Sequence, residues 1–226
     1  MKPFRTLHSL VAPLDRVNVD TDQIIPKQFL KRIERTGYGE FLFFDWRYKR
    51  DEQAGTQGPN PDFELNFPRY QGAEILVTNK NFGCGSSREH AAWALSDYGF
   101  RCVISPSFAD IFYSNAAKNG ILLVTLPQEQ VELLLERAAM HPGYSLTVSL
   151  ETNEVADDHG FHASFAIDPF RRDCLLNGLD DIGLSLRHSE HVDQFEQRHH
   201  PRHWFHPRAH GAHGAHPASI AHKEAQ

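Results

Sequence analysis

From residue 74 to residue 125 the apolar positions fall in a regular order. Glu74–Thr78 (EILVT), Arg101–Ser105 (RCVIS) and Ile121–Thr125 (ILLVT) are short continuous apolar runs rich in β-branched residues, the pattern of strands buried on both faces. Between them the spacing turns helical. Ser86 to Asp97 predicts a helix with Ala91, Ala92 and Leu95 on one face. A second is expected to open at Ser107, with Asp110 completing a capping box, and to close at Asn119-Gly120. The alternation is β-α-β-α-β, which predicts an α/β fold with a mostly parallel sheet and right-handed crossovers. Pro127 then starts a helix to about Met140, with Val131, Leu134, Leu135 and Ala138 as its apolar stripe and His141-Pro142-Gly143 as its end. Ser145–Leu150 and Phe161–Ile167 read as an antiparallel pair around a charged turn near Glu151–Gly160, and Asp168-Pro169 opens a last core helix ending at Asn177-Gly178.

The flanks are less regular. In the first seventy residues, Phe41–Tyr48 (FLFFDWRY) is dense in aromatics and reads as core or interface, and Gly55–Pro61 (GTQGPNP) reads as a mobile polar loop. From His188 onward the chain carries 10 of its 15 histidines. Pro and Gly interrupt this stretch without apolar periodicity, so disorder is expected beyond about Glu196.

Composition narrows the class. The 226 residues suffice for one good-sized domain with appendages, and 40% hydrophobic with 23% charged residues is ordinary for a soluble globular chain. A formal net charge of -6 argues against a nucleic-acid partner. The three cysteines, at 84, 102 and 174, are odd in number and lack CxxC spacing, which disfavours a disulfide framework or a cysteine metal site and fits a reducing cytoplasm. No apolar run is long enough for a signal peptide core or a membrane span. The histidine-rich tail has no fixed partner ligands, so adventitious metal binding is the expectation there and no metal site is assigned.

Candidate chemistry concentrates in Asn81–His90, NFGCGSSREH. This stretch follows a strand and opens a predicted helix, and its two glycines permit unusual backbone geometry. A glycine-rich turn entering a helix presents free N–H groups and the positive end of the helix dipole, a place for an anion. Arg88 sits in the first turn against the preference of that dipole, which points to a ligand it must meet, and a guanidinium suits a carboxylate. The plainer reading makes Ser86 an N-cap, paired with Glu89 in a capping box, with Ser87 and Arg88 solvated and His90 an ordinary packed histidine. The stretch is neither a P-loop, nor a GxGxxG fingerprint, nor a GxSxG elbow. Cys84 as a nucleophile would need a histidine base supplied by the fold. A second stretch, Asn18–Pro26 (NVDTDQIIP), places Asp20 and Asp22 two residues apart, either as turn caps or as groups that orient Arg88.

These two stretches, with the "VAPLDR" run before them, "PSFADIFYSNAAKNGILLV" and "IDPFRRDCLLNGLDDIGL", resemble the small-subunit family of 3-isopropylmalate dehydratase in the aconitase superfamily. The resemblance spans roughly residues 1–196. It implies a swivelling, three-layer β/β/α domain over residues 1–198, followed by a separate histidine-rich tail at 199–226. It further implies a hydro-lyase of leucine biosynthesis that interconverts 2-isopropylmalate and 3-isopropylmalate through isopropylmaleate. Such an enzyme is active only with a large subunit that bears a [4Fe–4S] cluster, whose free iron acts as a Lewis acid, so no cofactor is expected in this chain. By the same resemblance Ser86 is the base, Ser87 and Arg88 hold a substrate carboxylate, and Asp22 orders the hydrogen bonds around them. Phe29 and Leu30, with Ile33 beside them, are an apolar seat for the substrate's variable end; Lys31 and Arg32 are counted with the substrate-binding residues, and with Arg35 they leave a tricarboxylate open by charge alone. Homoaconitase-like or methylmalate-type small subunits, and a stand-alone carboxylate-binding module, are the alternatives.

Overall fold

The computed structural model describes residues 1–31, 36–50 and 57–198. Its elements in chain order are β1 (Thr6–Leu14), α1 (Thr21–Ile24), α2 (Phe44–Arg47), β2 (Tyr48–Arg50), β3 (Gln57–Pro59), β4 (Ile75–Thr78), α3 (His90–Tyr98), β5 (Cys102–Ser105), α4 (Asp110–Lys118), β6 (Leu122–Thr125), α5 (Gln128–Met140), β7 (Ser145–Ser149), β8 (Glu154–Ala156), β9 (His162–Ser164), α6 (Pro169–Asn177), α7 (Asp181–Leu186) and α8 (Ser189–Arg198). Residues Met1–Leu184 make one compact unit and Ser185–Gln226 a second, whose described part is mainly α8. Arg32, Ile33, Arg35, the first two residues of the 55–61 loop and the 199–226 tail lie outside the described residues.

The main sheet has the order β6-β5-β4-β1-β7-β8-β9. β1 serves two halves of it. Its first residues, Thr6–Leu10, pair antiparallel with β7, and its last, Val11–Leu14, pair parallel with β4. From β4 the parallel half steps outward through β5 and β6. Two successive right-handed crossovers in one direction put α3 and α4 on the same face. α5 then returns under the opposite face, so the chain re-enters the sheet beside β1 as β7.

Both faces are covered, and strand alternation sorts side chains between them. Ala12, Leu14, Leu76, Val103 and Leu123 face a core shared with Ala91, Ala92, Leu95 and Phe112 from α3 and α4 and with aromatics of residues 38–70. Val11, Ile75, Val77, Cys102, Ile104, Leu122 and Val124 face a second core closed by Val131, Leu134, Leu135 and Ala138 of α5. The expected stripe of that helix is buried as its spacing predicts. The fold is an α/β layered arrangement around a sheet of which one half, β6-β5-β4-β1, is parallel, as the alternation of elements implies.

Three local departures have physical causes. The turn expected at Glu151–Gly160 contains β8, so the antiparallel half is a three-stranded meander and not a simple pair. Gln57–Pro59, inside the expected loop, pairs with Tyr48–Arg50. α8 continues to Arg198, beyond the onset of disorder expected at Glu196. The meander is pinned by Asp157, whose buried side chain receives Arg137, the Tyr144 hydroxyl at 2.6 Å and the N–H groups of His159 and Phe161 at 2.8 and 2.7 Å. Burial alone would raise this carboxyl, but the hydrogen bonds outweigh it and hold its pKa below the ordinary carboxylate range.

Two consequences are measurable. A depressed carboxyl contributes stability above its unfolded pKa and loses it as the pH falls through its folded value. Asp157→Asn therefore costs about 2–3 kcal/mol at pH 7, and denaturant titrations at lower pH show the gap from wild type closing below about pH 4. Gly83, in the loop after β4, has φ +77, and a Cβ there would stand 2.2 Å from the Phe112 ring. Gly83→Ala is expected to destabilise the chain by about 2–4 kcal/mol in the same assay.

Candidate active site

At the carboxyl ends of β1 and β4, where open parallel sheets present ligand sites, two loops continue the pairing of their strands. Asn18 N–H donates to Lys80 O at 3.0 Å, Gly83 N–H to Val19 O at 2.7 Å, and Thr21 N–H to Cys84 O at 2.8 Å. The side chains of Asn18 and Asn81, both in left-handed backbone conformation, bond each other at 2.8 Å. The segments singled out by sequence, 18–26 and 81–90, are thus zipped together.

α1 is held by a capping box of its own. Asp20 Oδ1 accepts from Gln23 N–H at 2.8 Å, and Gln23 Oε1 accepts from Asp20 N–H at 3.0 Å. Asp20 is thereby a structural cap, one of the two readings available for it. The same turn projects Asp22 toward the partner loop. Arg88 Nη2 lies 2.6 Å from Asp22 Oδ1, and Arg88 Nε donates to Ser86 Oγ at 2.8 Å. Lys27 Nζ is 3.2 Å from the other oxygen of Asp22. Asp22 Oδ1 is ion-paired but lies off the N–H directions of Arg88, so its hydrogen-bonding capacity is unspent.

The helix expected at Ser86 begins at His90, with Glu89 at its N-cap position and no side-chain cap. The capping box fails because the groups for both of its bonds are engaged elsewhere. Ser86 N–H is taken by Thr21 Oγ1 at 3.0 Å and the Glu89 carboxylate accepts from Asn119 Nδ2 at 2.8 Å, which removes one bond, and Ser86 Oγ, the acceptor of the other, receives Arg88 Nε at 2.8 Å. Gly85, at φ +97 and with the space a Cβ would fill bounded by Thr21 Oγ1 at 3.4 Å, adds a left-handed kink. Ser86, Ser87 and Arg88 are therefore loop residues, and the positive charge offered to an anion is the Arg88 guanidinium and not a helix turn opened at Ser86. Ser87 is tied through its carbonyl, which accepts from Asn115 Nδ2 at 3.1 Å.

Two neighbouring groups, Cys84 and His90, are biased toward their neutral forms. Burial, and then the Asp20 charge, push the Cys84 thiol up, and its Sγ meets Asn18 O at 3.5 Å. A thiol so placed is a poor nucleophile. Burial, then Arg88, lower the pKa of His90, whose ring packs 4.5 Å from Trp93 and 5.4 Å from Tyr38. Cys102 is buried in β5, where desolvation raises its thiol strongly, and Cys174 is buried in α6. Among the described residues no group of three or more His, Cys, Asp or Glu could hold a metal ion. No helix among the described residues is long and apolar enough to cross a membrane.

The remaining candidates, Phe29, Leu30 and Lys31, lie on a short 3-10 helix, Lys27–Lys31, whose first residue is the lysine paired with Asp22. Phe29 stacks on Phe41 at 4.1 Å and meets the edge of Phe44 at 4.7 Å, and Leu30 packs with it against the aromatic core. Lys31 ends the same short 3-10 helix and is exposed. Residues that sequence reasoning did not select, Thr21, Asn115 and Asn119, hold the Ser86–Glu89 loop in place. A signal existed for two of them: Phe112, Asn115 and Asn119 recur at i, i+3 and i+7 of α4, a single stripe on which two amides interrupt an apolar face.

Over residues 1–129 the chain matches the family described as Aconitase C-terminal domain, over 132–169 LeuD_N, and over 181–207 the C-terminal domain of the 3-isopropylmalate dehydratase small subunit. It is 68% identical over 208 residues to the 3-isopropylmalate dehydratase small subunit of Acidobacterium capsulatum, covering 92% of this chain and 96% of that one. The small subunit of Geobacillus kaustophilus is 58% identical over 202 residues, 89% of this chain and all of the other, 100%. A crystal structure of 3-isopropylmalate dehydratase from Methanocaldococcus jannaschii, at 23% identity, shares the fold with a TM-score of 0.60 over 84% of this chain and 99% of its own. With an aconitase-type domain over more than half its length and close relatives over nine-tenths of it, the chain belongs to the 3-isopropylmalate dehydratase small-subunit family.

Proposed function

We propose that this chain is the small subunit of a 3-isopropylmalate dehydratase, supplying the proton-transfer and carboxylate-binding half of a hydro-lyase site. The enzyme interconverts 2-isopropylmalate and 3-isopropylmalate by dehydration and rehydration through isopropylmaleate, a step of leucine biosynthesis in the cytoplasm. Residues 1–198 act as the swivelling domain. The observation that carries the reading is the contiguous series Asp22–Arg88–Ser86, joined at 2.6 and 2.8 Å.

In this reading Ser86 Oγ removes the proton on the carbon α to a substrate carboxylate. A serine hydroxyl is a weak base at neutral pH, and its alkoxide forms only where positive charge and N–H donors favour it. Arg88 Nε already donates to that oxygen, so the developing charge meets a donor in place. Asp22 fixes the guanidinium and leaves its other N–H edge, with the Ser87 hydroxyl, for the carboxylate. Phe29 and Leu30 give the isopropyl group an apolar wall, with Lys31 beside them in the chain. Lewis acidity toward the leaving hydroxyl would come from the large subunit, where the family resemblance places the [4Fe–4S] cluster.

The test is reconstitution with a cluster-loaded large subunit, following the absorbance of the conjugated intermediate. The chain alone is expected to be inactive and the pair active on isopropylmalate. Ser86→Ala lowers kcat by about 10²–10⁴ while the subunits still assemble, whereas Cys84→Ala stays within about threefold of wild type, because its thiol is held protonated. A fully active Ser86→Ala with an inactive Cys84→Ala would overturn the assignment.

A further inference from the structure

One face of α4 holds the reactive loop from beneath at three points. The ring of Phe112 lies under Gly83, so closely that a Cβ on the glycine would stand 2.2 Å from it. One turn on, Asn115 Nδ2 donates to the carbonyl of Ser87 at 3.1 Å. Another turn on, Asn119 Nδ2 is shared between the Glu89 carboxylate and the Asn115 carbonyl, each at 2.8 Å. The loop has little else to fix it on this side. Ser86, Ser87 and Arg88 form no regular structure, Glu89 gives α3 no side-chain cap, and the bonds from the 18–24 segment reach no further than Ser86 N–H and the Arg88 side chain.

Ser87 is the residue between the hydroxyl and the guanidinium that must meet, so rotation of its peptide moves both. We propose that Asn115 is a positioning residue of the reaction: its amide fixes the Ser87 carbonyl and thereby sets Ser86 Oγ and Arg88 Nε in register for proton transfer. The inference rests on Ser86 as the base. Asn115 touches no reacting atom itself. Its effect is geometric, and misplacement of a reacting group by about 1 Å costs up to roughly 10²-fold in rate.

Asn115→Ala separates this role from a structural one, because alanine is the better helix former and α4 is not weakened by it. Asn115→Asp is nearly isosteric but turns an oxygen toward the Ser87 carbonyl. Both variants, assayed as assembled complexes with the large subunit, are expected to lose about 10- to 100-fold in kcat, with KM within about threefold and an unchanged melting temperature for the alanine variant. The aspartate variant should be the slower. A kcat within twofold of wild type in both variants overturns the proposal, as does a loss confined to melting temperature or assembly. The base assignment is tested separately by Ser86→Ala: activity retained there sinks that reading, whereas activity lost there and retained in the Asn115 variants sinks only this one.

Discussion

The carbonyl of Val19 accepts from Gly83, and the carbonyl of Cys84 from Thr21. These two bonds carry the parallel pairing of β1 and β4 past the ends of the strands and into the loops that follow. Without them Asp22 and Ser86, more than sixty residues apart in sequence, would belong to independent loops. With them, the separation of Asp22, Arg88 and Ser86 is inherited from the register of the sheet, Leu14 opposite Thr78. Gly83 and Gly85 are required by this arrangement for different reasons. The first lies against an aromatic ring, and the second turns the chain in the left-handed region where Thr21 can take the next N–H.

What can be read from the sequence follows the range of the forces involved. Strands 75–78, 102–105 and 122–125 and the helix 128–140 declare themselves, because their burial is periodic and their ends carry Gly, Pro or Asn. β1 does not, since its alternation is broken by Ser9, a polar residue on the buried side, and by Pro13, and its place at the centre of the sheet is decided by partners at 75–78 and 145–149. The helix start expected at Ser86 fails for a related reason. A capping box is a local motif, and the two ends of one of its bonds are claimed by residues distant in sequence, Thr21 and Asn119, while Arg88 occupies the serine oxygen needed for the other. The residues Ser86, Arg88 and Asp22 are legible as a chemical set, by the resemblance and by the odd placement of an arginine before a helix. That they are in contact is not, nor are Thr21 and Asn115, whose polar groups act only on the main chain of another segment. Arg32 lies outside the described residues, and Phe29 and Leu30 are seen as part of an aromatic wall.

The electrostatics favour division of the work between side chains. Cys84 and His90, the two residues near the loop with the more familiar proton chemistry, are both biased toward their neutral forms, one by burial and Asp20, the other by burial and Arg88. Serine, ordinarily the weaker candidate, is the residue to which a guanidinium N–H is directed. A cation beside a thiol would have produced a thiolate. Here the cation faces the hydroxyl, and the thiol faces a carbonyl and a carboxylate. On the proposed reading, the preference for Ser86 over Cys84 is a matter of which atom Arg88 points to.

The same ion pair bears on why such a half-site waits for its other half. The side chains of Arg88 and Asp22 are 25% and 38% exposed, so their attraction acts through water and its strength is modest. A surface that covered them would lower the local dielectric and strengthen three interactions together: Asp22 with Arg88, Arg88 with Ser86 Oγ, and the guanidinium with an incoming carboxylate. The loops need not rearrange for this, because main-chain bonds and the α4 face already fix them. On the proposed reading, docking of the large subunit supplies desolvation to a geometry that is built beforehand, and the basicity of Ser86 is set at the moment of closure.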